Sequence, residues 1–263
     1  EALFEVYRVT EDEAERAELY RQIDSISYVA SDLFIPNEYD KLMSVIGAEG
    51  TNAYTSTDMT VYVEDIPSNQ IENWARIEAD RFMNPVIRGF HTELETVYEE
   101  KNMSLTRDFR KALESLDGML FPDHPYGTQT VLGTQEHLKN PSITNIKNYH
   151  KTYYVPNNIA ICLSGDFDPD EMVAVIEKHF GKMQPNENLP ELKLETKSVI
   201  ETPQEKDVYG LDAEMLMMGW KYPGAASSEA LIAEVAASVL YNGTAGLIDL
   251  NINQQQKVLV AQG

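Results

Sequence analysis

A hairpin pattern gives the strongest folding signal in this chain, and it reads Gly47-Ala-Glu-Gly-Thr-Asn-Ala-Tyr-Thr-Ser-Thr-Asp-Met-Thr-Val-Tyr62. β-Branched and aromatic residues dominate the run, and such side chains suit the pleated surface of a sheet. The pattern predicts one strand near Asn52–Thr55 and a second near Met59–Val63. Polar residues at Ser56–Asp58 predict the turn between the two strands.

Helical patterns surround this hairpin. The predicted helices are Tyr39–Ile46, Ser68–Met83, a long helix from Thr92 past Leu105, Ile143–Tyr153, Asp168–Phe180 and Ser228–Tyr241. Thr92 and Glu95 have the spacing of a capping box, in which each side chain bonds the other residue's backbone N–H. Asp168 is a capping acid followed by proline, which is a strong helix start. Two apolar runs, Ile159–Ser164 and Met215–Trp220, are predicted as further strands.

The charge balance excludes several classes of protein. The 263 residues include 43 acidic and 21 basic side chains, for a formal net charge of -22 at pH 7. Such an acidic surface repels phosphate, so nucleic acid is not an expected partner. No apolar run approaches the roughly 20 residues that span a bilayer, so no membrane span is expected.

Sulfur-containing residues are predicted to serve packing rather than chemistry. The single cysteine, Cys162, excludes an intrachain disulfide, and its apolar neighbours predict a buried side chain. Met215, Met217 and Met218 are likewise expected in a core.

Four glutamates between positions 93 and 100 form the densest group of reactive side chains. At about 100° per residue, Glu93 and Glu100 stand two turns apart and only about 20° apart around the helix, with Val97 between them. Two carboxylates are therefore predicted to border the buried face of one helix. A partly buried acid is costly unless a cation or hydrogen bonds hold it. From the residues alone, metal binding, acid–base chemistry and a merely acidic surface all stay open.

The hairpin run resembles the M16 zinc metallopeptidases, the group of insulinase, pitrilysin and mitochondrial processing peptidase. Further segments agree in the order that the family has them. They are Ile71–Pro85 with Ala79-Asp-Arg-Phe82, Glu93–Glu100, Tyr153–Phe180 and, as the start of a second repeat, Met215–Asn242. The resemblance covers residues 38–263. The amino-acid sequences of the matching segments are most similar to bacterial members of the Bacteroides group.

The resemblance implies an α+β fold of the LuxS/MPP-like metallohydrolase type, with helices packed on a mostly antiparallel sheet. It divides the chain into a helical insertion at 1–37 and a partial, catalytic-type first repeat at 38–183. A linker at 184–204 and the truncated start of a second repeat at 205–263 complete the expected organisation.

The resemblance also implies a site. Glu100 matches the glutamate that binds zinc in the family, and Glu93 matches the acid that supports the zinc site from the second shell. Asn52, Ala53 and Tyr54 lie on the strand to which the substrate peptide adds as a further strand, held by main-chain hydrogen bonds. The expected cofactor is zinc in the full-length parent. The expected partners are a peptide substrate and the missing halves of the family's clamshell.

One part of the family pattern is absent, the HxxEH motif that supplies two histidine ligands and the general base. None of the five histidines has that spacing, so we expect the motif upstream of Glu1 and no catalytic residue in this chain. The chain is then an inactive fragment of a zinc-dependent endopeptidase that does not itself hold zinc.

Other interpretations stay open. The alternative within the family is a non-catalytic M16 subunit or binding partner, which also lacks HxxEH. An acidic α/β interaction module is the reading from outside the family. Similar bacterial proteins suggest a cell-envelope or periplasmic location, and exposed sheet edges are expected to favour self-association.

Overall fold

The computed structural model describes residues 1–191 and 196–263. These residues form two compact units, Glu1–Asp212 and Ala213–Gly263. The linker predicted at 184–204 includes residues 192–195, which lie outside the described residues. The four-part division of the chain therefore stays a prediction.

The first unit combines one β-hairpin with a set of helices, and the α+β class is confirmed. Its strands are β1 (Glu49–Thr55) and β2 (Thr60–Asp65). Its helices are α1 (Ala2–Tyr7), α2 (Glu13–Ser31), α3 (Glu38–Val45), α4 (Ile71–Met83), α5 (Phe90–Leu105), α6 (Asp108–Leu120), α7 (Pro125–Thr128), α8 (Gln135–Lys139), α9 (Ile143–Tyr153) and α10 (Pro169–Phe180). Short 3-10 turns lie at Ser68–Gln70 and Pro156–Asn158.

The hairpin forms where the sequence predicts it. β1 and β2 pair antiparallel, with Ala53 opposite Tyr62 and Thr55 opposite Thr60. The register shifts between Glu49 and Asn52, where Gly50 takes a positive φ of 61°. Glycine adopts this left-handed backbone without steric penalty, and such a bulge sharpens the local twist of the strand.

Two helix predictions have different outcomes. α10 begins as predicted, because the Asp168 carboxylate accepts hydrogen bonds from the backbone N–H groups of Asp170 and Glu171 at 2.9 and 3.1 Å. α5 begins at Phe90 rather than Thr92, so the predicted capping box of Thr92 is wrong. Gly89, at a positive φ of 64°, turns the chain into the helix earlier.

Two hydrophobic clusters hold the first unit together. One is built on Phe4, Ile23 and Ile143, and it joins α1, α2 and α9 to the first turns of α5. The other is built on Met43, Trp74 and Ala75, and it joins α3 and α4 to α10. The helices of the first 37 residues are therefore packed into the core rather than standing apart from it.

The predicted strands at Ile159–Ser164 and Met215–Trp220 are wrong, since neither is paired within the part of the chain that the structure describes. A segment with strand-like composition becomes a strand only when a neighbour completes its backbone hydrogen bonds. The same lack of a sheet neighbour leaves Cys162 exposed, contrary to the prediction of a buried thiol.

The second unit contains helix α11 (Ser228–Leu240) and a π-helical turn at Asp249–Asn253. Ser227 caps α11 by accepting a hydrogen bond from the Ala230 N–H at 3.2 Å. Met215 and Met218 are exposed, so their predicted core positions are wrong. Among the described residues, no helix has the length and apolar character needed to cross a membrane.

Two aspartates, Asp108 at the start of α6 and Asp123 in the loop between α6 and α7, hold the segment 196–212 by hydrogen bonds. Asp123 accepts hydrogen bonds from the backbone N–H groups of Lys197 and Ser198 at 2.7 and 2.9 Å. These bonds hold the pKa of the Asp123 carboxyl well below its usual range. This segment is therefore held at one end by a carboxylate that needs to be ionised.

Asp108 fastens the other end of the same segment. Its carboxylate accepts hydrogen bonds from the Lys111 ammonium at 2.8 Å, from the Asp212 N–H at 2.7 Å and from the Leu211 N–H. Lys111 first, and then the two N–H groups, lower the pKa of Asp108 to about 2.

We predict that Asp108→Asn or Asp123→Asn loosens segment 196–212, because an amide accepts these hydrogen bonds less strongly than a carboxylate. Hydrogen exchange at the Lys197, Ser198 and Asp212 amides should become several-fold faster than in the native chain. Asp40→Asn, at an exposed position on α3, is the control. Equal exchange in all three variants would show that the carboxylates do not hold the segment.

The same contacts predict the pH dependence. Because the folded pKa of Asp108 lies below its unfolded value of about 4, its contribution is present above about pH 4. It is lost as the pH falls through about 2. Protection of the Asp212 amide should decline in that window, and a decline only on raising the pH would contradict the assignment.

Candidate functional site

The outer edge of β1 is open, because within the described residues the sheet contains only β1 and β2. The hairpin turn fixes which backbone groups face that edge. The Ser56 N–H donates to the Met59 carbonyl at 2.8 Å, so these two residues form a hydrogen-bonded pair. Such pairs alternate along an antiparallel ladder. The N–H and C=O groups of Ala53 and Thr55 therefore point away from β2, toward the open edge.

The predicted substrate residues all lie on this exposed strand. Asn52, Ala53 and Tyr54 are solvent-accessible, and Tyr54 is 56% exposed. Asn52 and Tyr54 project to one face of the strand, while Ala53 and Thr55 project to the other. The side chains of β1 thus leave room for a partner backbone along its edge.

A buried ionic and aromatic cluster lies beneath the hairpin; we call it the Arg81 cluster and define it as Tyr39, Tyr62, Glu64, Glu78 and Arg81. The Arg81 guanidinium lies 4.3 Å from the ring centroid of Tyr39 and 4.5 Å from that of Tyr62. It also donates to the Glu78 carboxylate, with its Nε at 3.1 Å. The cluster joins α3, α4 and β2 around one cation.

Tyr62 connects this cluster directly to the open edge. It pairs with Ala53 across the hairpin, and its hydroxyl lies 3.0 Å from that of Tyr154. Its ring meets Phe82 edge-on, with centroids 5.4 Å apart. Contacts on several sides of the Tyr62 ring therefore fix the strand that carries Ala53.

The Arg81 cluster is buried enough to change the chemistry of its members. Glu78 is only 3% exposed, and burial raises the pKa of its carboxyl although Arg81 opposes the shift. Burial also raises the pKa of the Tyr39 and Tyr62 hydroxyls. Sequence reasoning used Arg81 only as part of a family-like segment, and the i, i+3 spacing of Glu78 and Arg81 was the signal that could have identified the pair.

The predicted zinc residues stand on α5, which packs against α2, α6 and α8. Both Glu93 and Glu100 are exposed, while Val97 between them is half-buried. Within the described parts of the chain, no group of three or more His, Cys, Asp or Glu side chains is placed to hold a metal ion. The described residues therefore do not make up a zinc site by themselves, and no catalytic step follows from them.

Two histidines near these elements are structural. His124 caps α7, since its Nδ1 accepts a hydrogen bond from the Tyr126 N–H at 3.2 Å. His91 is buried, with 6% of its surface exposed. Its Nε2 lies 3.5 Å from Asp24 Oδ1 and 3.6 Å from Glu95 Oε1. It lies where α2 packs on α5.

Comparisons with known proteins all give peptidases or proteases. A family model described as the Peptidase M16 inactive domain matches residues 142–258. An uncharacterized zinc protease of Mycobacterium leprae is 30% identical over 142 residues, which are 53% of this chain and 31% of that protein. The zinc protease PqqE of Helicobacter pylori is 22% identical over 254 residues, or 90% of this chain and 54% of that protein. The chain thus spans about a third of the length of the first relative and about half of the second.

Solved structures share the fold. A protease from Helicobacter pylori superposes with a TM-score of 0.54 at 23% identity, over 59% of this chain and 38% of that one. The periplasmic protease PqqL from Escherichia coli gives a TM-score of 0.55 at 20% identity, over 61% of this chain and 19% of that one.

We predict that Arg81→Leu lowers the free energy of unfolding by about 3 kcal/mol, because it leaves the buried Glu78 carboxylate without its cation. Arg76→Leu, at an exposed position of the same helix, should change it far less. Urea unfolding of the two variants provides the measurement. Equal losses would mean that the Arg81 cluster does not hold the hairpin.

Proposed function

The chain is a member of the M16 peptidase family, and on that premise we propose that it supplies the peptide-binding part of a zinc-dependent endopeptidase. The peptide docks as an added strand on the open edge of β1. The observation that carries this proposal is the outward orientation of the Ala53 and Thr55 backbone groups on an exposed strand with no second neighbour among the described residues.

Main-chain recognition explains how such a site accepts many peptide sequences. An added strand bonds to N–H and C=O groups, which every residue except proline carries in full. The exposed Tyr54 ring offers an apolar surface beside the edge for one peptide side chain. Asn52, Ala53 and Tyr54 are therefore proposed as the residues that a bound peptide meets.

Zinc enters this proposal through the relatives, since those from Mycobacterium leprae and Helicobacter pylori are named zinc proteases. We propose that Glu100 is this chain's ligand and Glu93 its supporting acid in a site that HxxEH histidines outside this sequence complete. Because the described residues do not assemble a metal site, the chain alone is proposed to bind peptides without hydrolysing them.

A non-catalytic M16 subunit is the second candidate function. The exposure of both Glu93 and Glu100 favours it, because a carboxylate kept for a metal is usually oriented by surrounding hydrogen bonds. The sequence encoded before Glu1 distinguishes the two candidates, since an HxxEH motif there supports the peptidase.

The partner and the compartment follow as further parts of the proposal. The chain covers only part of each relative, so the remaining part of a two-half peptidase is proposed to close over the peptide. The solved PqqL is a periplasmic protease, and a periplasmic or cell-envelope location is proposed by analogy.

We predict that Ala53→Pro lowers peptide affinity at least tenfold, because proline removes the outward N–H that an added strand needs. Proline is tolerated on an edge strand where the N–H faces outward, so the β1–β2 ladder should survive. Fluorescence anisotropy with a labelled, uncharged peptide of alternating threonine and valine, at physiological salt, measures the effect. Ala160→Pro, at an exposed position outside the hairpin, is the control, and an equal affinity in both variants would refute the edge-binding proposal.

We also predict that the purified chain, supplied with zinc, gives no turnover of the same peptide. Zinc content by metal analysis and cleavage by mass spectrometry are the measurements. Stoichiometric zinc together with turnover would overturn the assignment of the chain as a binding part.

A further inference from the structure

We infer that Asn52 is an internal cap on the open edge of β1, which a peptide must displace before it can pair with the strand. The inference rests on the proposed function, because it concerns how that same edge is regulated. It assigns Asn52 the opposite effect from a substrate contact: its side chain lowers peptide affinity instead of raising it.

The cap consists of one hydrogen bond to an N–H group that an added strand would use. The Ala53 N–H donates to the Asn52 side-chain oxygen at 2.8 Å. The alternation counted from the bond between Ser56 and Met59 directs that same N–H toward the open edge. An amide oxygen of Asn52 therefore occupies the position that the carbonyl of an added strand would take.

The local backbone suits this arrangement. Asn52 follows the bulge at Gly50, where the register of β1 shifts, and a bulge turns the strand and re-aims the side chains beside it. Asn52 is also exposed, so its side chain can leave the N–H without disturbing a core. The exchange replaces one neutral amide hydrogen bond by another, which makes the cap reversible.

The cap has consequences for the class of peptide that binds. It lowers the affinity of every peptide by the same factor, so a peptide that contacts only Ala53 gains little by displacing it. A longer extended peptide also reaches the Thr55 backbone groups and recovers the loss through additional hydrogen bonds. The penalty is the same for all peptides, so only extended peptides that pair along several residues of β1 keep enough hydrogen bonds for measurable binding. Satisfying the outward N–H also protects the free edge from pairing with other chains.

Two substitutions at Asn52 should move peptide affinity in opposite directions. Asn52→Ala removes the cap and should raise affinity for the uncharged threonine–valine peptide about fivefold. Asn52→Asp supplies a charged acceptor of the same shape, which holds the Ala53 N–H more strongly, and should lower affinity by a similar factor. Asn148→Ala, at an exposed position of α9, should leave affinity unchanged. Weaker or unchanged binding by Asn52→Ala would overturn the inference, because Asn52 would then be a contact or a bystander.

Amide hydrogen exchange tests the cap without any peptide. The Ala53 amide should exchange several-fold faster in Asn52→Ala than in the native chain, while the Tyr54 amide, which faces β2, should not change. An unchanged rate at Ala53 refutes the cap even if peptides bind. Equal peptide affinity of the native chain and Ala53→Pro refutes the proposed function instead, so the two failures are distinguishable.

Discussion

The ion pair between Arg81 and Glu78 is the contact on which the position of the hairpin depends. A buried carboxylate is costly unless a cation or hydrogen bonds compensate it. Here Arg81 is that cation, and it also lies against the rings of Tyr39 and Tyr62. Because these residues belong to α3, α4 and β2, one charged contact sets the relation of three elements. Tyr62 pairs with Ala53 across the ladder, so the position of β2 also fixes the position of β1. The orientation of the open edge is thus fixed from beneath, by side chains that a bound peptide would not touch.

The remainder of the first unit supports α5, the helix that carries Glu93 and Glu100. Helices α1 and α2 pack on its first turns through Phe4 and Ile23. Lys101, which follows Glu100 directly, is buried and contacts Glu114 of α6 at 3.1 Å. α5 is thus held on several sides while Glu93 and Glu100 face solvent, and a metal site there would need ligands from outside the described residues.

Local patterns in the sequence were sufficient for much of the fold. The hairpin, α9 and the start of α10 are set by residues within a few positions of one another, such as the Asp168 carboxylate and the N–H groups that it caps. Predictions that depended on distant neighbours were less successful. Ile159–Ser164 has the composition of a buried strand, but burial requires a second strand beside it, and composition does not supply one. Thr92 failed as a cap because Gly89 could start the helix earlier.

Local sequence patterns were enough to specify the α+β class, the hairpin and the strand that carries Asn52, Ala53 and Tyr54, because strand and turn preferences act over a few residues. The sequence also carried the resemblance to the M16 family. The assignment of Glu93 and Glu100 to a zinc site stays a prediction. Three features became visible only in the folded chain: Arg81 anchors the hairpin, the Ala53 N–H faces the open edge, and the Asn52 side chain already accepts a hydrogen bond from that N–H. These features depend on burial and on the direction of backbone groups, which are fixed when segments distant in sequence come into contact.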